Sequence, residues 1–144
     1  MKTISIRSLI ATTILAATTF AVSAQAQTTK VKADIPFMFV YNGHTFADGH
    51  YSLNIRPDGV VEVGRSSHVQ TSLAQAEPTD ATATVSSIVF HRAGGKYYLR
   101  QIYTAGSSRS LNFMESKDEK KAMSFTIADA SPAYTVVVAT EATR

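Results

Sequence analysis

Ser86-Ser87-Ile88-Val89-Phe90-His91-Arg92-Ala93-Gly94-Gly95-Lys96-Tyr97-Tyr98-Leu99-Arg100-Gln101-Ile102-Tyr103-Thr104 reads as two strands joined by a two-residue turn. Gly94-Gly95 supplies the left-handed backbone that a tight hairpin turn demands, and the flanking residues are rich in β-branched and aromatic side chains. A two-residue turn sets the register, with Phe90 opposite Leu99, Arg92 opposite Tyr97, His91 opposite Tyr98 and Ile88 opposite Gln101. One face of this hairpin then reads as core. The other carries Val89, His91, Tyr98, Arg100 and Ile102, a mixture of ring, imidazole and guanidinium.

The same rhythm of short apolar stretches and turns extends in both directions, as in all-β folds. Val31 to Tyr41 alternates Val31, Ala33, Ile35, Phe37, Phe39 and Tyr41 on one face, and Pro36, which cannot donate to a ladder, predicts an edge or a bulge there. Asn42-Gly43 is a hairpin turn that returns the chain through His44 to Phe46. Ala47-Asp48-Gly49 turns it again into a strand with Tyr51, Leu53 and Ile55 inward. Pro57-Asp58-Gly59 is a turn, Val60 to Val63 the return strand, and Arg65-Ser66-Ser67 a further turn. His68 to Gln75 reads as a strand with Val69, Thr71 and Leu73 aligned. Glu77 to Thr82 reads as a loop, and Ala105 to Ser108 ends the central hairpin. Ser116-Lys117-Asp118-Glu119 fits a capping box, with a helix from Lys117 to about Phe125. Asp129 to Pro132 is a turn, and the Val136-Val137-Val138 run suggests a closing strand buried on both faces. These segments predict an all-β antiparallel sandwich or flattened barrel of about seven or eight strands with one short helix.

The first 26 residues differ in kind. Lys2 and Arg7 precede an uncharged run from Leu9 to Val22, and Ala24-Gln25-Ala26 follows with small side chains. That order predicts a signal peptide cleaved after Ala26, with Ala24 as a second register. The apolar run falls short of the roughly 20 residues of a membrane span, so no stable span is expected after cleavage. Residues 27–144 then form a single β-rich domain, exported to the periplasm or beyond. Without the leader, the net charge falls from +3 to +1. Such a balance lacks the basic footprint of a nucleic-acid binder. With no cysteine, disulfides, thiolate metal sites, Cys nucleophiles and lipidated cysteines are excluded.

Chemistry leaves a fainter trace. There is no nucleophile elbow, phosphate loop, zincin motif or dinucleotide fingerprint. The histidines, at 44, 50, 68 and 91, show no paired ligand spacing, so neither a metal nor another cofactor is expected. Most acidic residues sit at turns or in the helix, where Asp serves backbone hydrogen bonding. No catalytic residues are assigned. For ligand binding, the candidates are His91, Tyr98 and Arg100. The ring offers an apolar platform, the guanidinium a fork for a carboxylate, and the imidazole a donor or acceptor. The competing reading is a partly covered face whose long polar chains run past a neighbouring element. The expected function is a non-catalytic exported module that binds an envelope component, a glycan or a protein. The alternative is a small extracytoplasmic, hydrolase-like enzyme with an unrecognised site.

Ile35-Pro36-Phe37 with Phe39, Phe46-Ala47-Asp48-Gly49-His50-Tyr51, Ile88 to Arg92 with Gly95 to Leu99 and Gln101-Ile102, the Ser116 to Glu119 motif and the Val-rich final strand together resemble a wider group. These are small exported β-rich proteins of unknown function, common in acidobacterial-type soil bacteria. Asp48 stands where that group more usually has a Pro-Ala-Gly turn. The shared signatures are strands and turns, and the resemblance implies no activity.

Overall fold

Turn chemistry and alternation cut the chain into eleven strands and one helix in the computed structural model, which describes residues 27–128 and 135–143. The leader and the turn at Asp129 to Pro132 lie outside the described residues. In chain order the strands are β1 (Thr29–Ile35), β2 (Phe39–Tyr41), β3 (His44–Phe46), β4 (Gly49–Ile55), β5 (Val60–Arg65), β6 (His68–Leu73), β7 (Gln75–Pro78), β8 (Ser86–Ala93), β9 (Lys96–Tyr103) and β10 (Arg109–Asn112). The helix α1 (Lys117–Ala128) follows, then β11 (Thr135–Thr143).

Two sheets form a sandwich. One runs β11-β1-β4-β5-β6, the other β3-β2-β9-β8-β11, with β10 beside β9 and β7 beside β10. β11 joins them, pairing with β8 over its first six residues and with β1 from Glu141 onward. β3 and β6 stand at opposite ends of the strand order, so the structure is not a closed barrel. One pair, β2 with β9, is parallel.

The strands outnumber the seven or eight expected, for local reasons. Pro36 ends β1, and the chain crosses to the second sheet before resuming as β2. Even so, Val31, Ala33, Ile35, Phe39 and Tyr41 all remain buried. Alternation thus survives a change of sheet, and Pro36 avoids a position where its missing N–H would cost a ladder bond. Gln75 to Pro78 and Arg109 to Asn112 form the short pair β7–β10, where the sequence reads as loop and unassigned chain. The helix extends to Ala128, beyond the expected end at Phe125.

The interior is aromatic at one end. Phe39 touches Phe46, Tyr51 and Phe90 with ring centroids 5.1 to 5.3 Å apart, and Phe37 meets Phe90 edge-on at 5.1 Å. Ile88, Phe90 and Ile102 are fully buried. Burying side chains of this size stabilises by roughly 1.5–3 kcal/mol each. Val138 packs against this core half-buried; the side chains of Val136 and Val137 lie outside the described residues.

The central hairpin closes through Gly94-Gly95 as the sequence predicts, with Ala93 opposite Lys96, His91 opposite Tyr98 and Phe90 opposite Leu99. Beyond Phe90 the register departs from expectation. Val89 pairs with Gln101 and Ile88 with Ile102, so Arg100 is left as the extra residue of a β-bulge. The extra residue restores Ile102 to the core face, correcting its placement beside His91 and Tyr98. β6 supplies the other correction. Its aligned Val69, Thr71 and Leu73 face outward, with Val69 56% and Leu73 66% exposed, because its inward side chains are Gln70 and Ser72.

Candidate functional site

Three regions collect polar side chains, and the central hairpin is the first. Its non-core face carries His91, Tyr98 and Arg100 together, as the register requires, and α1 covers it. Ser116 caps the helix by accepting a hydrogen bond from the Glu119 N–H at 3.1 Å. This is half of the expected box. The Glu119 carboxylate turns inward, only 2% exposed, with Oε1 at 3.1 Å from His91 Nδ1 and 3.7 Å from Arg100 Nε. Arg100 also reaches Glu115 at 3.5 Å. The guanidinium and imidazole therefore meet a carboxylate, and that carboxylate belongs to the chain itself. Tyr98 lies beneath the helix, its phenol held above the usual pKa first by burial and then by the carboxylates of Glu119 and Asp118. The capping pattern located Glu119, but nothing in its spacing signalled that its carboxylate would anchor the helix.

The second region is the seam between the open edge of β6 and the β2–β3 turn. Asn42 sits in that turn at φ 49°, followed by Gly43 at φ 76°, the left-handed pair that the sequence supplies. Asn42 Nδ2 donates to the Thr71 carbonyl at 3.0 Å, bridging the two sheets. On one side of this bridge lies a cavity of about 380 Å³ reached by Tyr98, Leu73, Met114 and Glu115. On the other lies one of about 390 Å³ that brings His44 and His68 together with Phe46 and Tyr51. Tyr41, buried nearby, donates to the Val61 carbonyl at 2.8 Å. Burial pushes its phenol well above the ordinary tyrosine pKa, against an opposing contribution from hydrogen bonds with Ser72.

The third region is an open groove of about 670 Å³ on the outside of β1, β4 and β5. Alternation puts it there: the residues between inward Val31, Ala33, Tyr51 and Leu53 are Lys32, His50 and Ser52, which point outward. Lys30, Lys32, His50 and Arg65 line it, beside Ser52 and Thr140. His50 Nδ1 is 3.3 Å from Asp34 Oδ1, both side chains exposed. Register sets Glu141 opposite Lys32. Arg65 is fixed by donating to the Asp48 carbonyl at 2.9 Å. It passes over Gly49, where a Cβ would fall 2.6 Å from its Nη1 and where φ is +139°. The hydroxyls of Ser52 and Thr140 are buried without a hydrogen-bond partner, a state that costs free energy until something supplies one. Sequence reasoning missed this groove because its residues come from four strands, β1, β4, β5 and β11, none of which carries a motif.

Among the described residues, no group of three or more His, Asp or Glu is arranged to hold a metal ion, and no helix is long and apolar enough to cross a membrane. His44 and His50, which straddle a turn, go to different cavities. Comparison with protein-family models, with curated proteins and with solved structures finds no match to this chain.

Proposed function

We propose that this chain is an exported, non-catalytic binding module of the cell envelope, and that its ligand is a glycan or other polyol bearing an anionic group. The observation that carries this reading is the outer groove, where two partnerless buried hydroxyls sit among Lys30, Lys32, His50 and Arg65. A rotamer change that turns Ser52 and Thr140 toward the groove would let ligand hydroxyls satisfy them, while a carboxylate or phosphate would meet the cations. Asp34 beside the lysines favours a ligand that is both donor and acceptor over a bare anion. His91, Tyr98 and Arg100 lie outside this groove, on the hairpin face beneath α1. Glu119, the group with the burial an acid or base needs, is engaged by His91 and Arg100, which weighs against the hydrolase-like alternative.

The test is retention of immobilised protein by an envelope fraction at low salt. Wild type should bind, and the paired change Lys30→Glu with Lys32→Glu should abolish binding. The pair Lys96→Glu with Lys120→Glu, which changes net charge equally elsewhere, should bind as wild type does. Equal loss in both pairs would mean nonspecific charge attraction; equal retention would remove the groove from consideration. Export has its own check: the envelope form should begin at Gln27 or Gln25 by intact mass, and a form retaining Met1 would refute processing.

A further inference from the structure

The sandwich has three terminal strands among the described residues, and they are guarded unequally. β3 is only three residues long. β7 carries Glu77 and Pro78. Short length, charge and proline all discourage a sheet edge from recruiting another strand. β6 has none of these protections: His68-Val69-Gln70-Thr71-Ser72-Leu73 runs for six residues with no Lys, Arg, Asp, Glu or Pro. In the sheet it pairs with β5 alone.

The hairpin geometry says which backbone groups β6 leaves open. Ser66-Ser67 is a two-residue connection, so its closing pair, Arg65 with His68, is hydrogen-bonded. Pairs then alternate along the ladder. Val69, Thr71 and Leu73 fall in the non-bonded positions and direct their N–H and C=O groups away from β5. The Asn42 side chain accordingly finds the Thr71 carbonyl on that open side. The side-chain amide of Asn42 stands where the N–H of an added strand would come.

We propose that β6 pairs antiparallel with β6 of a second copy of this chain, with Thr71 on the two-fold axis. In that register Val69 of each copy lies opposite Leu73 of the other, joining two exposed apolar stripes, and no like charges are opposed. Asn42 gives up its bond to Thr71 and the incoming Thr71 N–H takes it over. The axis stands perpendicular to the sheet, so both outer grooves end on one side of a continuous sheet, and a ligand with repeated units could be held at two points. The pairing goes beyond the proposed glycan binding and does not depend on it.

Sedimentation equilibrium of the purified protein over a wide concentration range tests this. A reversible dimer is expected, in the weak class of interfaces below about 1,200 Å². Thr71→Pro removes an N–H that β5 does not use and should leave a folded monomer. Asn42→Gly keeps the left-handed turn and should tighten the dimer by about fivefold. Val69→Lys or Leu73→Glu alone should weaken it by about three- to tenfold, and the two together should restore it, since each Lys then faces a Glu on the other copy. A wild type that stays monomeric throughout, or a double variant no better than the singles, would overturn the pairing. Envelope retention that persists in monomeric protein would show that only the dimer, and not the binding reading, has failed.

Discussion

The β8–β9 hairpin and the outer face of β1, β4 and β5 begin from the same kind of sequence, alternating apolar side chains with Lys, Arg, His and Ser, and they end in opposite states. On the hairpin the polar face is covered: α1 lies over it and Glu119 meets His91 and Arg100, although Arg100 Nη1 is itself buried without a hydrogen-bond partner. On the outer sheet nothing among the described residues lies over Lys30, Lys32 and His50, which stay exposed, and two hydroxyls there lack partners. Polar side chains on a strand become structure when another element of the chain brings complementary charge to them. Left uncovered, they remain available to a ligand.

The largest effect should come from the hairpin's core face. Phe90→Ala should destabilise by about 3–5 kcal/mol in denaturant unfolding, because the ring is fully buried against Phe37 and Phe39. Little loss of stability would mean that the two faces have been exchanged. Next, Glu119→Ala should cost about 2 kcal/mol, below the value for a fully buried pair because Arg100 retains some exposure. It should also speed amide exchange in α1. Unchanged exchange there would break the claim that the hairpin's charges hold the helix.

A smaller effect concerns alkaline pH. Tyr41 and Tyr98 are held above their ordinary pKa, so the unfolded chain releases those protons first. Their contribution is complete below pH of about 10 and falls as pH rises through the folded values. Tyr41→Phe should cost about 1 kcal/mol at neutral pH, through the lost bond to Val61, and should flatten the decline of melting temperature above pH of about 10. A parallel decline in both proteins would contradict the burial argument. The smallest effect belongs to the open edge: Leu73→Ala should change monomer stability by less than about 0.5 kcal/mol, and a larger loss would show that β6 is covered.

Much of this was legible in the sequence. Gly94-Gly95 and Asn42-Gly43 specify their turns because few residues tolerate the required backbone, and Ser116 marks the helix start because exposed N–H groups need an acceptor. What remained hidden depends on neighbours. Alternation says that a strand has two faces without saying which is inward, and for β6 the apolar set lost to Gln70 and Ser72. No residue type announces the bulge at Arg100, which sits where the other side of β9 passes from pairing with β2 to pairing with β10. The hairpin turn puts His91, Tyr98 and Arg100 on one face, but Glu119, which meets them there, lies 28 residues from His91, beyond any local pattern.

The most direct test maps where the ligand touches. Backbone amide resonances of isotope-labelled protein would be followed during titration with the solubilised glycan fraction of the envelope. Binding in the outer groove should shift Lys30, Lys32, His50, Ser52 and Gly64 and leave His91, Tyr98 and Arg100 unmoved. Shifts confined to His91, Tyr98, Arg100 and α1, with the outer sheet silent, would contradict it.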